Sequence, residues 1–145
     1  MVEDVKREQQ ELLAQLSYLQ SMYSQQYEAV QNDIASYTIA NTALQKNIDL
    51  LQSAKALGGS DIMISGEGGA YMHAKLSGSD TVMTYVGAGY LVDMDSVSAV
   101  EFIRSNQKKS EQVLNRLMSD KKRLESELLD ISFKLNALRA QQGVQ

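Results

Sequence analysis

The chain has 145 residues and a formal net charge of −4, and 43% of its residues are hydrophobic. It contains no cysteine and no proline, so disulfides and thiolate metal sites are excluded and no proline interrupts a long helix. No apolar run approaches the roughly 20 residues that a membrane-spanning helix needs. Residues 1–8 are largely charged where a signal peptide would be apolar. We therefore expect a cytoplasmic protein without a membrane segment.

The first predicted element is a long helix over residues 1–57. Its apolar side chains recur every three or four residues, which is the spacing of a coiled-coil seam, and the spacing has one stutter between Tyr23 and Tyr27. The predicted seam positions are Leu12, Leu16, Leu19, Tyr23, Tyr27, Val30, Ile34, Tyr37, Asn41, Leu44, Ile48 and Leu51.

Residues 58–94 hold most of the glycines and predict two β-hairpins. Strands are expected at 62–65 and 70–76 in the first hairpin and at 81–86 and 90–93 in the second, with glycine-rich turns between them. An isolated hairpin is marginally stable in water, so these strands need another surface. We predict that they pair with strands of other chains to build a barrel or platform. The predicted assembly residues are Ile62, Ile64, Met72, Leu76, Val82, Val86, Tyr90 and Val92.

The second helix is predicted over residues 95–145, with Asp95 as its N-cap. Its seam positions are Val100, Ile103, Gln107, Ser110, Leu114, Leu117, Lys121, Leu124, Leu128, Ile131, Leu135 and Leu138. Pairs such as Leu51 with Val100 and Tyr27 with Leu124 have a constant sum of residue numbers, as an antiparallel pairing requires. The same register places Asn41 opposite Ser110, a polar pair that disfavours slipped registers. The expected fold class is therefore α+β: an antiparallel two-helix coiled coil whose closed end carries two β-hairpins that assemble into an oligomeric β-barrel.

Several apolar side chains near the far end of the helix pair are not required by the seam. They are Val2, Val5, Leu13, Leu129 and Phe133. A two-helix seam buries only a narrow face, so these side chains are expected to remain at least partly in contact with water. A partner-binding surface is one interpretation. Fraying, or a contact with a neighbouring chain, is the other.

No group of residues predicts catalysis. His73 is the only histidine, so a metal site or a histidine-activated nucleophile is not expected. The glycines around Gly68 and at Gly87 and Gly89 fit turns, because neither run continues into the Gly-Lys-Ser/Thr of a phosphate-binding loop. The basic run at residues 121–123 is interpreted as a solvated helix face and not as a nucleic-acid site. We expect a protein that is not an enzyme and that has no metal, no cofactor and no nucleic-acid partner.

Residues 71–76 (Tyr-Met-His-Ala-Lys-Leu), residues 81–93 (Thr-Val-Met-Thr-Tyr-Val-Gly-Ala-Gly-Tyr-Leu-Val-Asp) and the start of the second helix at residues 95–103 resemble the α-type subunits of prefoldin. The resemblance implies an ATP-independent chaperone of two α-type and four β-type subunits, joined through a β-barrel platform. It implies that coiled-coil tips hold non-native proteins and pass them to a group II chaperonin. The tip residues expected to bind client are Val5, Leu12, Leu13, Leu16, Leu129, Phe133 and Leu138.

Two other functions remain open from the sequence. A prefoldin-like structural spacer would use the same hairpins to form a homo-oligomer or filament without binding client. A coiled coil that inserts into a polymerase during transcription elongation would carry acidic residues at a closed helical loop, whereas this chain is expected to have an open and apolar distal end.

Overall fold

The computed structural model of the chain describes residues 1–54, 56–78 and 80–143. Its elements are helix α1 (Val2–Ala54), strands β1 (Asp61–Ser65), β2 (Tyr71–Lys75), β3 (Thr81–Gly87) and β4 (Tyr90–Asp95), and helix α2 (Ser96–Gly143). The predicted order of helix, two hairpins and helix is confirmed. Within the described ranges, neither helix contains an apolar stretch long enough to cross a membrane.

Helix α1 ends earlier than predicted. The expected helix over 1–57 includes Lys55, which lies outside the described residues, and Leu57, which lies in a turn. The amide of Leu57 still donates to the carbonyl of Ser53 at 3.1 Å, and Ser60 N–H donates to Leu57 at 2.9 Å. Gly59 has φ +80°, a left-handed backbone conformation that residues with a Cβ atom seldom adopt. The glycines that follow Leu57 therefore end the helix.

Helix α2 begins where the sequence predicts. One carboxylate oxygen of Asp95 accepts the backbone N–H of Ser98 at 2.7 Å, and the other accepts the Ser98 hydroxyl at 2.9 Å. These bonds lower the pKa of Asp95, because they stabilise its charged form. Asp95 is therefore the N-cap, as predicted. Val144 and Gln145, the last two residues of the predicted helix, lie outside the described residues.

The chain divides into two compact units, and each unit contains part of both helices. We call Met1–Thr38 with Gln112–Gln145 the helical unit, and Ile39–Glu111 the hairpin unit. In the helical unit a buried cluster of Leu16, Ile131 and Leu135 is surrounded by half-buried apolar side chains. The hydroxyl of Tyr27 donates to Glu125 Oε1 at 3.0 Å, one position from the predicted Tyr27–Leu124 pair. The antiparallel register predicted from the sequence therefore holds in this unit.

The same register is found independently in the hairpin unit. Gln107 Nε2 donates to Gln45 Oε1 at 2.9 Å, one position from the predicted pair of Leu44 with Gln107. Ile48 is fully buried. The predicted polar layer is also present in the seam, where Asn41 Oδ1 and Ser110 Oγ are buried and accept or donate no hydrogen bond among the described residues. Buried polar atoms without partners weaken packing, so this layer stabilises the helix pair less than leucines would.

The hairpins form two separate two-stranded antiparallel sheets, β1 with β2 and β3 with β4. In the first, Ile62 pairs with Ala74 and Ile64 with Met72. Two main-chain bonds between the segments flanking the strands extend this hairpin, from Gly59 to Leu76 at 2.8 Å and from Leu76 to Ser60 at 2.9 Å. Neither sheet has a third strand within the described residues, so each hairpin keeps two open edges.

The turn of the second hairpin requires three left-handed residues in succession. Gly87, Ala88 and Gly89 have φ values of +112°, +52° and +82°. Ala88 and Gly89 are the two central residues of the turn, and positive φ at both matches a type I′ turn. Val86, the extra residue between Tyr85 and Gly87, forms a β-bulge. The side chain of Tyr85 lies over this turn, because the amide of Gly89 donates to its hydroxyl oxygen at 3.3 Å. Ala88 is the one non-glycine residue with positive φ among the described residues.

We predict that Ala88→Asn stabilises the second hairpin. Asparagine tolerates the left-handed conformation that costs alanine about 1 kcal/mol, so the free energy of local opening should rise by about 0.5–1 kcal/mol. Hydrogen exchange of the β3 and β4 amides measures this change. Ala74→Asn, which places the same side chain within strand β2, is the matched control and should lower protection in the first hairpin. Weaker protection in the Ala88→Asn variant would contradict the turn assignment.

Candidate functional site

The first hairpin exposes apolar side chains on both of its faces. The residue pairing places Ile62, Ile64, Met72 and Ala74 on one face, and Ile64 and Met72 are exposed there. Met63 and Tyr71 are exposed on the opposite face, which also carries His73. The sequence-based assembly set did not include Met63 and Tyr71. The uninterrupted apolar run Ile62-Met63-Ile64 was the available signal, because a strand covered on both faces lacks polar alternation.

The second hairpin has one half-buried face and one exposed face. Val82, Thr84 and Met94 lie on the half-buried face, where Thr84 is buried. The opposite face exposes three large side chains that the assembly prediction left out: Met83, Tyr85 and Leu91. The remaining predicted residues differ in exposure, since Leu76 is half-buried and Val86, Tyr90 and Val92 are exposed. Hydrophobic surface of this kind on strands with open edges is typical of a site where further strands add.

A groove of about 440 Å³ lies beside the second hairpin, within the hairpin unit. Its walls come from both helices and from β3 and β4, and most of them are apolar. They are formed by Leu44, Asn47, Leu50, Leu51, Val82, Met83, Thr84, Tyr85, Leu91 and Ile103. Among the described residues that line the groove, the Tyr85 phenol is the one ionisable group, so the groove is suited to hold apolar side chains.

The predicted tip residues separate into three groups by exposure. Val5, Leu12, Leu129 and Phe133 are exposed, and the last two are 60% and 68% exposed. Leu129 and Phe133 are four residues apart on α2, so their side chains share one face of the helix. We call these four residues the helix-end surface. Val5, Leu129 and Phe133 leave apolar area in water, as expected from the sequence, whereas Leu12 is exposed although the sequence placed it on the seam.

The other three predicted tip residues are buried or half-buried, and their role in client binding stays a prediction. Leu16 is only 8% exposed and belongs to the buried cluster with Ile131 and Leu135, so it is not accessible to a partner in this structure. Leu13 was expected to lie off the seam, but it packs against the same cluster and is half-buried. Leu138 also packs there. Leu16 and Leu138 are positions of the predicted seam, so their packing follows from the register. Leu13 is half-buried because a helix pair this rich in leucine also covers positions that flank the seam.

The described residues of the hairpins and helices do not bring together the ligands of a metal site. In the described part of the chain, no three His, Cys, Asp or Glu side chains lie close enough together to hold a metal ion. His73 is exposed on its strand. The contact of Tyr27 with Glu125 raises the pKa of the phenol, since the hydrogen bond to the carboxylate favours the protonated form. This bond joins the two helices, and Glu125 also lines a small cleft of about 240 Å³ with Ile34, Met118, Lys121 and Lys122.

Comparison with known proteins identifies relatives of this arrangement. A family model described as Prefoldin subunit matches residues 23–141. Prefoldin subunit alpha of Archaeoglobus fulgidus is 24% identical over 131 residues, covering 85% of this chain and 93% of the relative. Prefoldin subunit alpha of Methanococcus aeolicus is 28% identical over 137 residues, covering 92% and 94%. A filamentous PFD from Methanocaldococcus jannaschii, solved by cryo-electron microscopy, shares the fold at TM-score 0.57 and 22% identity, covering 83% of this chain and 95% of that chain.

We predict that buried and exposed leucines on α2 differ sharply in their effect on stability. Leu135→Ala opens a cavity in the core cluster and should cost about 2–5 kcal/mol of unfolding free energy. Leu129→Ala removes an exposed side chain and should change it by about 0.5 kcal/mol or less. Urea denaturation followed by circular dichroism measures both changes. Equal losses would mean that Leu129 is buried in solution, and the helix-end surface would then have to be redrawn.

Proposed function

Because this chain belongs to the prefoldin family, we propose that it is the α-type subunit of a prefoldin holdase that captures non-native proteins without ATP. As a member of that family it is a chaperone subunit and not an enzyme. The α-type assignment is supported by the two curated relatives, both named prefoldin subunit alpha, and by the presence of two hairpins. The expected resemblance to this family is confirmed by the match over residues 23–141.

The observation that carries the proposal is the pair of hairpins with open edges and uncovered apolar side chains. A single chain cannot satisfy these edges, so the proposed partners are β-type subunits whose strands pair with them in a hexamer of two α-type and four β-type chains. One apolar face of the first hairpin and the exposed face of the second would then become the interior of a shared β-barrel. We propose that this platform holds the helix pairs of all six chains in one assembly.

The helix-end surface supports the client-binding part of the proposal. Its side chains offer a small apolar area, and contact with them requires no particular client sequence. Each contact is therefore weak and reversible without nucleotide. Several such surfaces in one assembly increase the effective concentration of contacts and turn weak binding into useful retention. We propose that clients held in this way pass to a group II chaperonin in the cytoplasm, and that no cofactor, metal or nucleic acid takes part.

We predict that charge on the first hairpin blocks assembly. Ile64→Lys and Met72→Lys together put two cations on one apolar face, and burying them unpaired would cost several kcal/mol. Native mass spectrometry of the chain mixed with a β-type subunit measures the effect. The wild type should give a complex of six chains, and the double variant should give free subunits. Glu67→Lys, in the exposed turn of the same hairpin, is the matched control. An open-ended polymer of the wild-type chain alone would instead favour the structural spacer.

We predict that the helix-end surface controls protection of clients. Leu129→Ser with Phe133→Ser removes exposed apolar area, so about fivefold or more chaperone should be needed to suppress aggregation of a denatured client by half. Light scattering measures this concentration. Asn136→Ser, an exposed polar change nearby on α2, should leave it unaltered. Full protection by the double variant, with assembly intact, would locate client binding elsewhere.

A further inference from the structure

A second and polar surface lies in the helical unit, in a cleft of about 300 Å³ between the first turns of α1 and the last described turns of α2. Four of the six described residues that line it are glutamines. The lining consists of Lys6, Gln9, Gln10, Leu13, Gln141 and Gln142. We call it the glutamine cleft. Its volume is at the lower end of the range for small-ligand pockets, so it fits a short segment and not a folded surface.

The helical repeat explains why amides meet here. Gln9 lies three residues before Leu12, and Gln142 lies four residues after Leu138, so both occupy the positions at which the apolar seam would continue. Carboxamides therefore replace leucines where the two helices face one another. This replacement gives up apolar packing, and it leaves polar groups gathered along one cleft.

These amides differ from the other cross-helix glutamines of the chain. In the hairpin unit, Gln107 and Gln45 hydrogen-bond to each other at 2.9 Å, so that donor and that acceptor are satisfied within the protein. Over the residues that the structure describes, none of the four glutamine side chains of the cleft forms a hydrogen bond. Gln9 is half-buried, and the exposed side-chain carbonyl oxygens and amide hydrogens of Gln10, Gln141 and Gln142 are available to a ligand.

We propose that the glutamine cleft binds the main chain of an extended segment of a non-native polypeptide. This inference rests on the proposed function and specifies what the client contributes besides apolar side chains. A carboxamide carries a carbonyl acceptor and N–H donors, which match the two polar groups of a peptide unit. The Lys6 ammonium adds donors for carbonyl oxygens, and Leu13 provides an apolar wall.

Recognition of the main chain accounts for selection of unfolded over folded proteins. Every sequence carries the same peptide groups, so binding through them does not depend on side chains. In a folded protein most backbone N–H and C=O groups are already paired in helices and sheets, whereas an extended segment presents them unpaired. The glutamine cleft therefore binds unpaired main-chain groups and the helix-end surface binds apolar side chains, and unfolding exposes both together.

A pair of fluorescent peptides with the same apolar sequence tests the inference. One has ordinary amides, and the other carries N-methyl groups on alternate amides, which remove donors and add apolar surface. Fluorescence anisotropy against the full-length chain in its native assembly gives both affinities. The ordinary peptide should bind about tenfold more tightly, and Gln10→Ala with Gln141→Ala should abolish most of that preference, at about threefold per hydrogen bond lost. Both residues are exposed, and circular dichroism verifies that the variant is folded.

The control variant is Gln25→Ala with Gln26→Ala. These two glutamines are exposed on α1, the helix of Gln10, and lie outside the cleft, so the control variant should retain the tenfold preference. Equal binding of the two peptides by the wild type would overturn main-chain recognition while leaving the chaperone function standing. A preference that survives in the Gln10→Ala, Gln141→Ala variant would overturn the cleft as its location. Binding of neither peptide would overturn both the inference and the proposed capture of clients.

Discussion

The packing of α1 against α2 along one apolar seam is the interaction on which the other features of this protein depend. In the helical unit it produces the buried cluster of Leu16, Ile131 and Leu135. In the hairpin unit it buries Ile48 and brings Gln45 to Gln107. Because seam residues must recur every three or four positions in both helices, one antiparallel register satisfies the whole set. That register determines which remaining side chains face outward, and therefore which are available to partners.

The seam stabilises the helices and leaves the hairpins unprotected. Each hairpin has two strands, open edges and apolar side chains in water, a combination that is marginally stable by itself. In a family of subunits that assemble, such incomplete burial is a functional feature, because burying these surfaces against the correct partner stabilises the complex. The three residues with positive φ at 87–89 form the tight turn of the second hairpin, and this conformation strains the backbone of Ala88.

The helical unit combines the two kinds of surface that we propose as binding sites for non-native protein. Exposed Leu129 and Phe133 offer apolar area, and the glutamine cleft offers unpaired donors and acceptors. Neither surface is large enough for tight binding. Weak contacts allow release without an energy source, which is consistent with a chaperone family that is not enzymatic. The buried polar layer at Asn41 and Ser110 shows a similar preference for specificity over maximal stability, because it weakens the seam but penalises any other register.

The sequence by itself determined the element order, the antiparallel register, the Asp95 N-cap and the family, because these follow from local spacing, capping chemistry and a recognisable stretch in the second hairpin. It did not anticipate that Leu13 packs against the core cluster, that Leu12 of the predicted seam is exposed, or that Met63, Tyr71, Met83, Tyr85 and Leu91 are exposed. Only the tertiary structure decided these exposures. Periodicity gives the direction of a side chain from its own helix or strand, but burial depends on how wide a stripe the partner helix covers and on which face of a hairpin meets the protein. The glutamine cleft has the same origin, since Gln9 and Gln142 are far apart in the chain and become one surface only when the helices pair.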